Sequence, residues 1–224
     1  MLFSHHDSKM SPLKTNHSPA VSRILLAAKS DFMRFGFKSI SMDDLAERCG
    51  VSKKTLYENF SSKEILINAT LALHFDDHVK QLEQVRNSSE NAVDELLGQF
   101  DIVSNDLQSL KAGVLYELEK YYHNSWKIFE EFRASKVTKY CLQNLERGKR
   151  EGLYRKNINN RVILYLYLHN IDAVMHEERG VLDEIPIYLR FKETLSYHLH
   201  GILNAKGWDY LRTQQNELID ETVL

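Results

Sequence analysis

The chain has 224 residues, of which 43% are hydrophobic, with 9 Gly, 3 Pro, 2 Cys and a formal net charge of −2. This is enough apolar material for a sizeable core and few helix breakers, and the two unclustered cysteines form no metal-type spacing and fit a reducing compartment. The net charge excludes a strongly basic polyanion binder, although residues 1–60 carry nine Lys and Arg against six Asp and Glu and the rest twenty against twenty-five, so a net +3 precedes a net −5.

Residues 1–18 are polar and without periodicity, which predicts a flexible arm. Translation could begin at Met1 or Met10; an arm with Lys9 and Lys14 can reach a minor groove, but with two lysines a disordered tail is the favoured reading. Ser18-Pro19 is a helix start, with Ser as cap and Pro at the first helical position. Ile24, Ala28, Phe32 and Phe35 give that helix one apolar face, and Gly36 stops it. Ser41 and Asp44 form a capping box for a second helix running to about Cys49. Gly50 turns the chain, and Ser52 caps a third, very short helix ending near Asn59. A second capping box, Ser61 with Glu64, opens a long fourth helix through about Arg86.

Further amphipathic helices are expected at 89–108, 110–122, 125–151, 158–179, 184–205 and 209–222. The breaks between them fall at Asn87-Ser88-Ser89, Ser109, His123-Asn124, Gly152 with Asn157, Gly180 and Gly207. Strand-like alternation is scarce, so the fold class is all-α. No stretch approaches the ~20 apolar residues of a membrane span, and the N-terminus has no apolar signal core, so a cytoplasmic protein is expected.

The stretch DLAERCGVSKKTLYENF, residues 44–60, has the features of a helix-turn-helix. Ala46 is the small residue where two helices cross and Gly50 makes the turn. Leu45, Cys49, Val51 and Leu56 face inward. With Leu56 and Phe60 buried, Lys53, Lys54, Thr55, Tyr57 and Asn59 are left outward. Lysines neutralise phosphates and donate to guanine, and Thr and Tyr hydroxyls donate to phosphate oxygens. The Ala-x-x-x-Gly spacing by itself also fits an ordinary helical hairpin.

From Ile24 to Leu66 the sequence closely resembles the N-terminal DNA-binding domain of the TetR/AcrR family of transcriptional regulators. The resemblance lies in Ala27-Ala28, Phe32 and Gly36-Phe37, then Ser41-Met42-Asp43-Asp44-Leu45-Ala46 and Gly50-Val51-Ser52-Lys53. It continues through Thr55-Leu56-Tyr57, Phe60 and Ser62-Lys63-Glu64, and Gly148 to Tyr154 also looks family-like. Asn59 departs from the commoner His, which puts a base contact there in doubt.

The resemblance implies a three-helix DNA-binding domain at 19–66 and a larger helical ligand-binding and dimerisation domain at 67–224. It also implies a homodimer on a palindromic operator in double-stranded DNA. Carried over by position, Ser41 and Lys63 lie at helix starts suited to phosphates, Lys53, Lys54 and Thr55 enter the groove, Tyr57 leans on the backbone or is half-buried packing, and Ser52 and Asn59 stand with them in the DNA-binding set.

In the second half, the dimer face is expected on Tyr165 and Leu168 of an almost wholly apolar helix and on the stripe Phe191, Leu195, Leu199 and Ile202. An intrachain core is the other reading of that stripe. The aromatic-rich middle suggests a small-molecule pocket, with Tyr116, Trp126, Phe129 and His169 as lining residues. His74 and His78 stand at a spacing that can bind zinc, but without a third ligand they read as a solvated helix face, so no metal or cofactor is expected. No GxSxG, P-loop, GxGxxG or HExxH motif points to an enzyme. The expected function is a dimeric transcriptional repressor released from DNA by a small molecule. A DNA-binding regulator without ligand and a helical protein-interaction module stand as alternatives.

Overall fold

The computed structural model describes residues 18–111, 113–175 and 185–213, and its regular structure is helical apart from one isolated bridge between Tyr154 and Leu203. The helices are α1 (Pro19–Phe35), α2 (Met42–Arg48), α3 (Lys53–Asn59), α4 (Lys63–Ser88), α5 (Ala92–Ser109), α6 (Val114–Tyr121), α7 (His123–Phe132), α8 (Thr138–Glu151), α9 (Asn160–Met175), α10 (Ile187–Ile202) and α11 (Ala205–Thr213). A π-helical turn, Arg133–Val137, joins α7 to α8. No helix among the described residues is long and apolar enough to cross a membrane. The arm at 1–17, with Lys9 and Lys14, lies outside the described residues, as do the expected helix ends beyond 175 and 213 and the start at 184.

Local chemistry sets the first helix starts. Ser18 Oγ accepts the N–H of Val21 and Pro19 occupies the first turn of α1. Ser41 and Asp44 form the full reciprocal box at α2. Ser52 Oγ accepts the N–H of Thr55 at α3. The cap of α4 is Ser62, which accepts the N–H of Ile65, and not Ser61 as the spacing to Glu64 suggests.

Three expected bounds move. The helix after Ser109 begins only at Val114. The break expected at 123–124 falls at Tyr122, whose extended φ of −132° ends α6, and one helical run then continues from His123 to Glu151 through the π turn. Gly207 is not a break; it is buried inside α11. The break lies at Asn204, whose Oδ1 accepts the Gly207 N–H while its Nδ2 donates to the carbonyls of Gly152 and Tyr154. A side chain that caps one helix and ties it to a distant loop makes a firmer boundary than a glycine does.

Two hydrophobic clusters form the core. The first joins α1–α3 to α4, α6 and α7 through Ile24, Phe32, Leu45, Leu56, Leu66, Phe75 and Leu118. The second joins α5, α8, α9, α10 and α11 through Leu96, Phe100, Leu145, Tyr154, Leu164, Leu195 and Leu211. It packs closely at Gly148, where a Cβ would meet the Tyr154 ring at 2.2 Å. The Tyr154 hydroxyl lies 2.9 Å from both the Ala92 carbonyl and Asn144 Oδ1, the two acceptors that share its one proton. Arg147 ties the same region together, bridging Glu95 at 2.8 Å and Glu151 at 2.7 Å.

Candidate DNA interface and ligand cavity

The N-terminal head is built so that one short helix stands proud. Ala46 is buried where α2 meets α3. Gly50 takes φ +62°, a conformation costly for any residue with a Cβ. The N–H of Val51 then returns to the Ala46 carbonyl at 3.0 Å. Leu56 is the one fully buried residue of α3, so that helix is fixed along a single line and its remaining faces stay wet.

The side chains expected to meet DNA sit as follows. Lys54 is exposed and lies 3.8 Å from Glu58. Lys53 Nζ is 2.7 Å from Asp43 Oδ2 on α2. Thr55 Oγ1 is 2.8 Å from Ser52 Oγ, within the cap of α3. Tyr57 is exposed, and Asn59 Nδ2 donates to the Thr55 carbonyl at 2.7 Å. Ser41 spends both its hydroxyl and its N–H on Asp44 Oδ2, at 2.7 and 2.8 Å. Lys63 is half-buried, and its pKa is lowered chiefly by that burial. The salt bridge of Lys53 and the ammonium of Lys54 are in high dielectric, where such pairs are weak, so phosphates can displace both carboxylates.

Between the two hydrophobic clusters lies a cavity of about 150 Å³, lined by α4, α5, α6, α7, α8, α9 and α10 and also by Met33 and Phe37 of the head. Phe129 lines it, as expected of an aromatic pocket residue. The other three side chains named for a pocket lie elsewhere. Tyr116 is at the surface, accepting a hydrogen bond from Lys120. Trp126 packs on Phe129, centroids 5.1 Å apart. His169 is exposed and lies against Tyr165.

The polar lining comes from residues the sequence reading set aside. His74 and His78 are not a solvated face: they are largely buried in the cavity wall, facing Asp106, and Gln99, Arg133, Tyr140 and Tyr167 join them. The signal was present in the stripe Leu71, His74, Phe75, His78 and Leu82, which places both histidines on the buried face of α4. Among the described residues no group of His, Cys, Asp and Glu has a metal-holding arrangement.

The expected dimer stripe is covered by its own chain. Phe191, Leu195, Leu199 and Ile202 are 0–2% exposed within the single chain, and Leu168 faces the cavity. Each such side chain contributes about 1.5–3 kcal/mol to the fold by its burial. Tyr165 does stand outward, together with Val162 and Leu166 on α9 and Tyr188, Leu189 and Tyr197 on α10.

A helix-turn-helix head on an all-helical body with an internal cavity defines a class of DNA-binding transcriptional regulator. The profile of the family described as bacterial regulatory proteins, tetR family, matches residues 24–70. The chain is 30% identical over 142 residues to the helix-turn-helix-type transcriptional regulator YvaF of Bacillus subtilis (strain 168), covering 62% of this chain and 73% of the relative. It is 25% identical over 199 residues to the transcriptional regulator UidR of Escherichia coli (strain K12), covering 88% and 99%. Its fold matches the crystal structure of a transcriptional regulator from Saccharomonospora viridis in complex with choline (TM-score 0.70, 14% identity, 84% of this chain and 100% of that one). The chain belongs to the TetR family of helix-turn-helix transcriptional regulators, and its function is regulation of transcription, not enzymatic turnover.

Proposed function

We propose that the protein is a homodimeric, cytoplasmic repressor that holds a palindromic operator through residues 19–66 and releases it when a small molecule fills the cavity in the body that follows. The observation that carries this reading is that Met33 and Phe37 of the head line the same cavity as α4, α6 and α9. A ligand in the cavity therefore touches the element that sets the head's position. It shifts the population toward dimers whose heads are spaced wrongly for successive major grooves. The S. viridis neighbour, with choline bound, supports a ligand for the fold.

On DNA, Lys53, Lys54 and Thr55 enter the major groove, Ser41, Ser52, Tyr57 and Lys63 meet phosphates, and Asn59 stands at the margin. The exposed apolar faces of α9 and α10 pair with their copies in a second subunit as a four-helix bundle.

Selection of bound duplexes from a random DNA pool at near-physiological salt tests the reading. Enrichment of a palindrome with half-sites one or more helical turns apart supports it. Enrichment of a single half-site would break the dimer claim. No enrichment, with a control regulator recovering its own site, would leave the head as scaffold.

A further inference from the structure

Three polar groups converge inside the cavity. His74 and His78 sit one turn apart on α4 with ring centroids 5.8 Å apart. Asp106 of α5 brings Oδ2 to 3.5 Å from His74 Nε2 and 3.9 Å from His78 Nε2. Both distances are too long for an N–H···O hydrogen bond, and His78 Nε2 is buried with no hydrogen-bond partner among the described residues. A buried polar atom without a partner is costly unless something else fills the gap.

The charges around the trio are already matched. Lys29 Nζ lies 3.3 Å from Asp77 Oδ2, and Arg133 pairs with Asp172. Asp106, by contrast, has only the two imidazoles at ion-pair distance among the described residues. Burial, helped by Lys29, pushes both imidazoles down to about 4, so at neutral pH they carry no charge and each keeps a ring lone pair. Burial also pushes the Asp106 carboxyl up, with Lys29 pulling it back.

Beside the trio is an aromatic wall. Phe75 and Phe132 stack with centroids 4.2 Å apart, and Phe132 lies 5.7 Å from the His78 ring. The rest of the lining is mostly aliphatic, including Leu71, Leu82 and Leu107.

We propose that the cavity takes a lipophilic amine, its protonated nitrogen seated between Asp106, His74 and His78 against the Phe75–Phe132 wall and its apolar body in the remaining space. An ammonium is all donors and the three facing groups offer acceptors. A nitrogen about 2.7–3.2 Å from each acceptor fits a trio with these spacings. The aromatic faces add cation–π attraction in a desolvated site. A carboxylate ligand would instead meet Asp106 and two uncharged rings. This inference rests on the ligand-sensing reading above.

The test uses the full-length protein and three probes that share one frame: 4-phenylbutylamine, 4-phenylbutanol and 4-phenylbutanoate. Affinities are measured by calorimetry at pH 7, and release of the selected duplex is measured in parallel. The expected order is amine tightest, about tenfold over the alcohol, with the acid weakest. Asp106→Asn brings the amine to within about threefold of the alcohol and leaves the alcohol itself little changed. If that variant does not fold, His78→Leu is read in the same way. An acid or alcohol that matches the amine, an amine indifferent to both variants, or no binding by any probe overturns the proposal. Amine binding with the expected order but no release of DNA upholds it and sinks the sensing reading; release by the acid alone does the reverse.

Discussion

Glu117 Oε2 accepts the backbone N–H of Lys38 at 3.0 Å, so a carboxylate of α6 holds the loop between α1 and α2. The same helix lines the cavity with Val114, Leu115 and Leu118. Lys111 completes the latch, 3.5 Å from Glu117 Oε1, with its own N–H on the Met33 carbonyl at 2.9 Å. Removing the carboxylate with Glu117→Ala costs stability of about 1–2 kcal/mol, because a charged acceptor leaves a backbone N–H. It also weakens ligand-driven release while leaving ligand affinity nearly intact. Urea denaturation reads the first effect and titration of bound duplex with ligand the second. Release equal to wild type would remove α6 from the coupling path.

Lys53 is held by Asp43 and Lys54 by Glu58, so the free head hides part of its charge. Asp43→Asn frees one ammonium and removes one negative charge, and DNA affinity rises several-fold at low salt. Lys54→Ala weakens binding and lowers the salt slope by about one for each head. Titrations between 50 and 200 mM salt check both. Weaker binding by Asp43→Asn would mean that the carboxylate aims Lys53 and does not merely occupy it.

Much of the head was legible in the sequence because its signals are local. Ser18, Ser41 and Ser52 cap the residues three ahead of them, and Ala46 and Gly50 fix the turn. The cavity was less legible because its wall is assembled from seven helices and the head. No spacing within one helix reveals that Asp106 on α5 faces His74 and His78 on α4. Phe191 to Ile202 shows the same limit. An apolar stripe announces burial, but whether its cover is the same chain or a second one depends on where α5 lies, as in the stack of Phe100 on Phe191 at 4.7 Å.

In the homodimer proposed above, the two sides of α10 separate association from folding. Tyr197, 75% exposed, and Leu166 on the neighbouring α9 are open, whereas Leu199 is sealed. Leu166→Glu with Tyr197→Glu yields a folded monomer with an unchanged unfolding midpoint per chain once the dimer is dilute. Leu199→Ala costs about 2–5 kcal/mol as a core cavity. Sedimentation velocity and denaturation distinguish the two. A double variant that stays dimeric would move the interface elsewhere.

Acid weakens the fold through three buried imidazoles, of which His74 and His78 belong to the cavity wall. His74, His78 and His198 are each pushed down to about 4, mainly by burial, against about 6.5 when unfolded. The unfolded chain then binds more protons, so stability is full above about pH 6.5 and falls as pH drops toward 4. The loss is on the order of 1–3 kcal/mol per ring, offset in part by Asp106, whose raised pKa works in the opposite direction. Urea midpoints from pH 7 to 4.5 should decline, and His78→Phe should make the decline shallower. A flat profile would mean that the rings charge in place.

The π turn at Arg133–Val137 supplies two wall residues, Arg133 and Val137. Such a turn is an α-helix with one residue too many. Descendants of this chain can thus alter the wall by gaining or losing a single codon, while α7 on one side and α8 on the other keep their contacts.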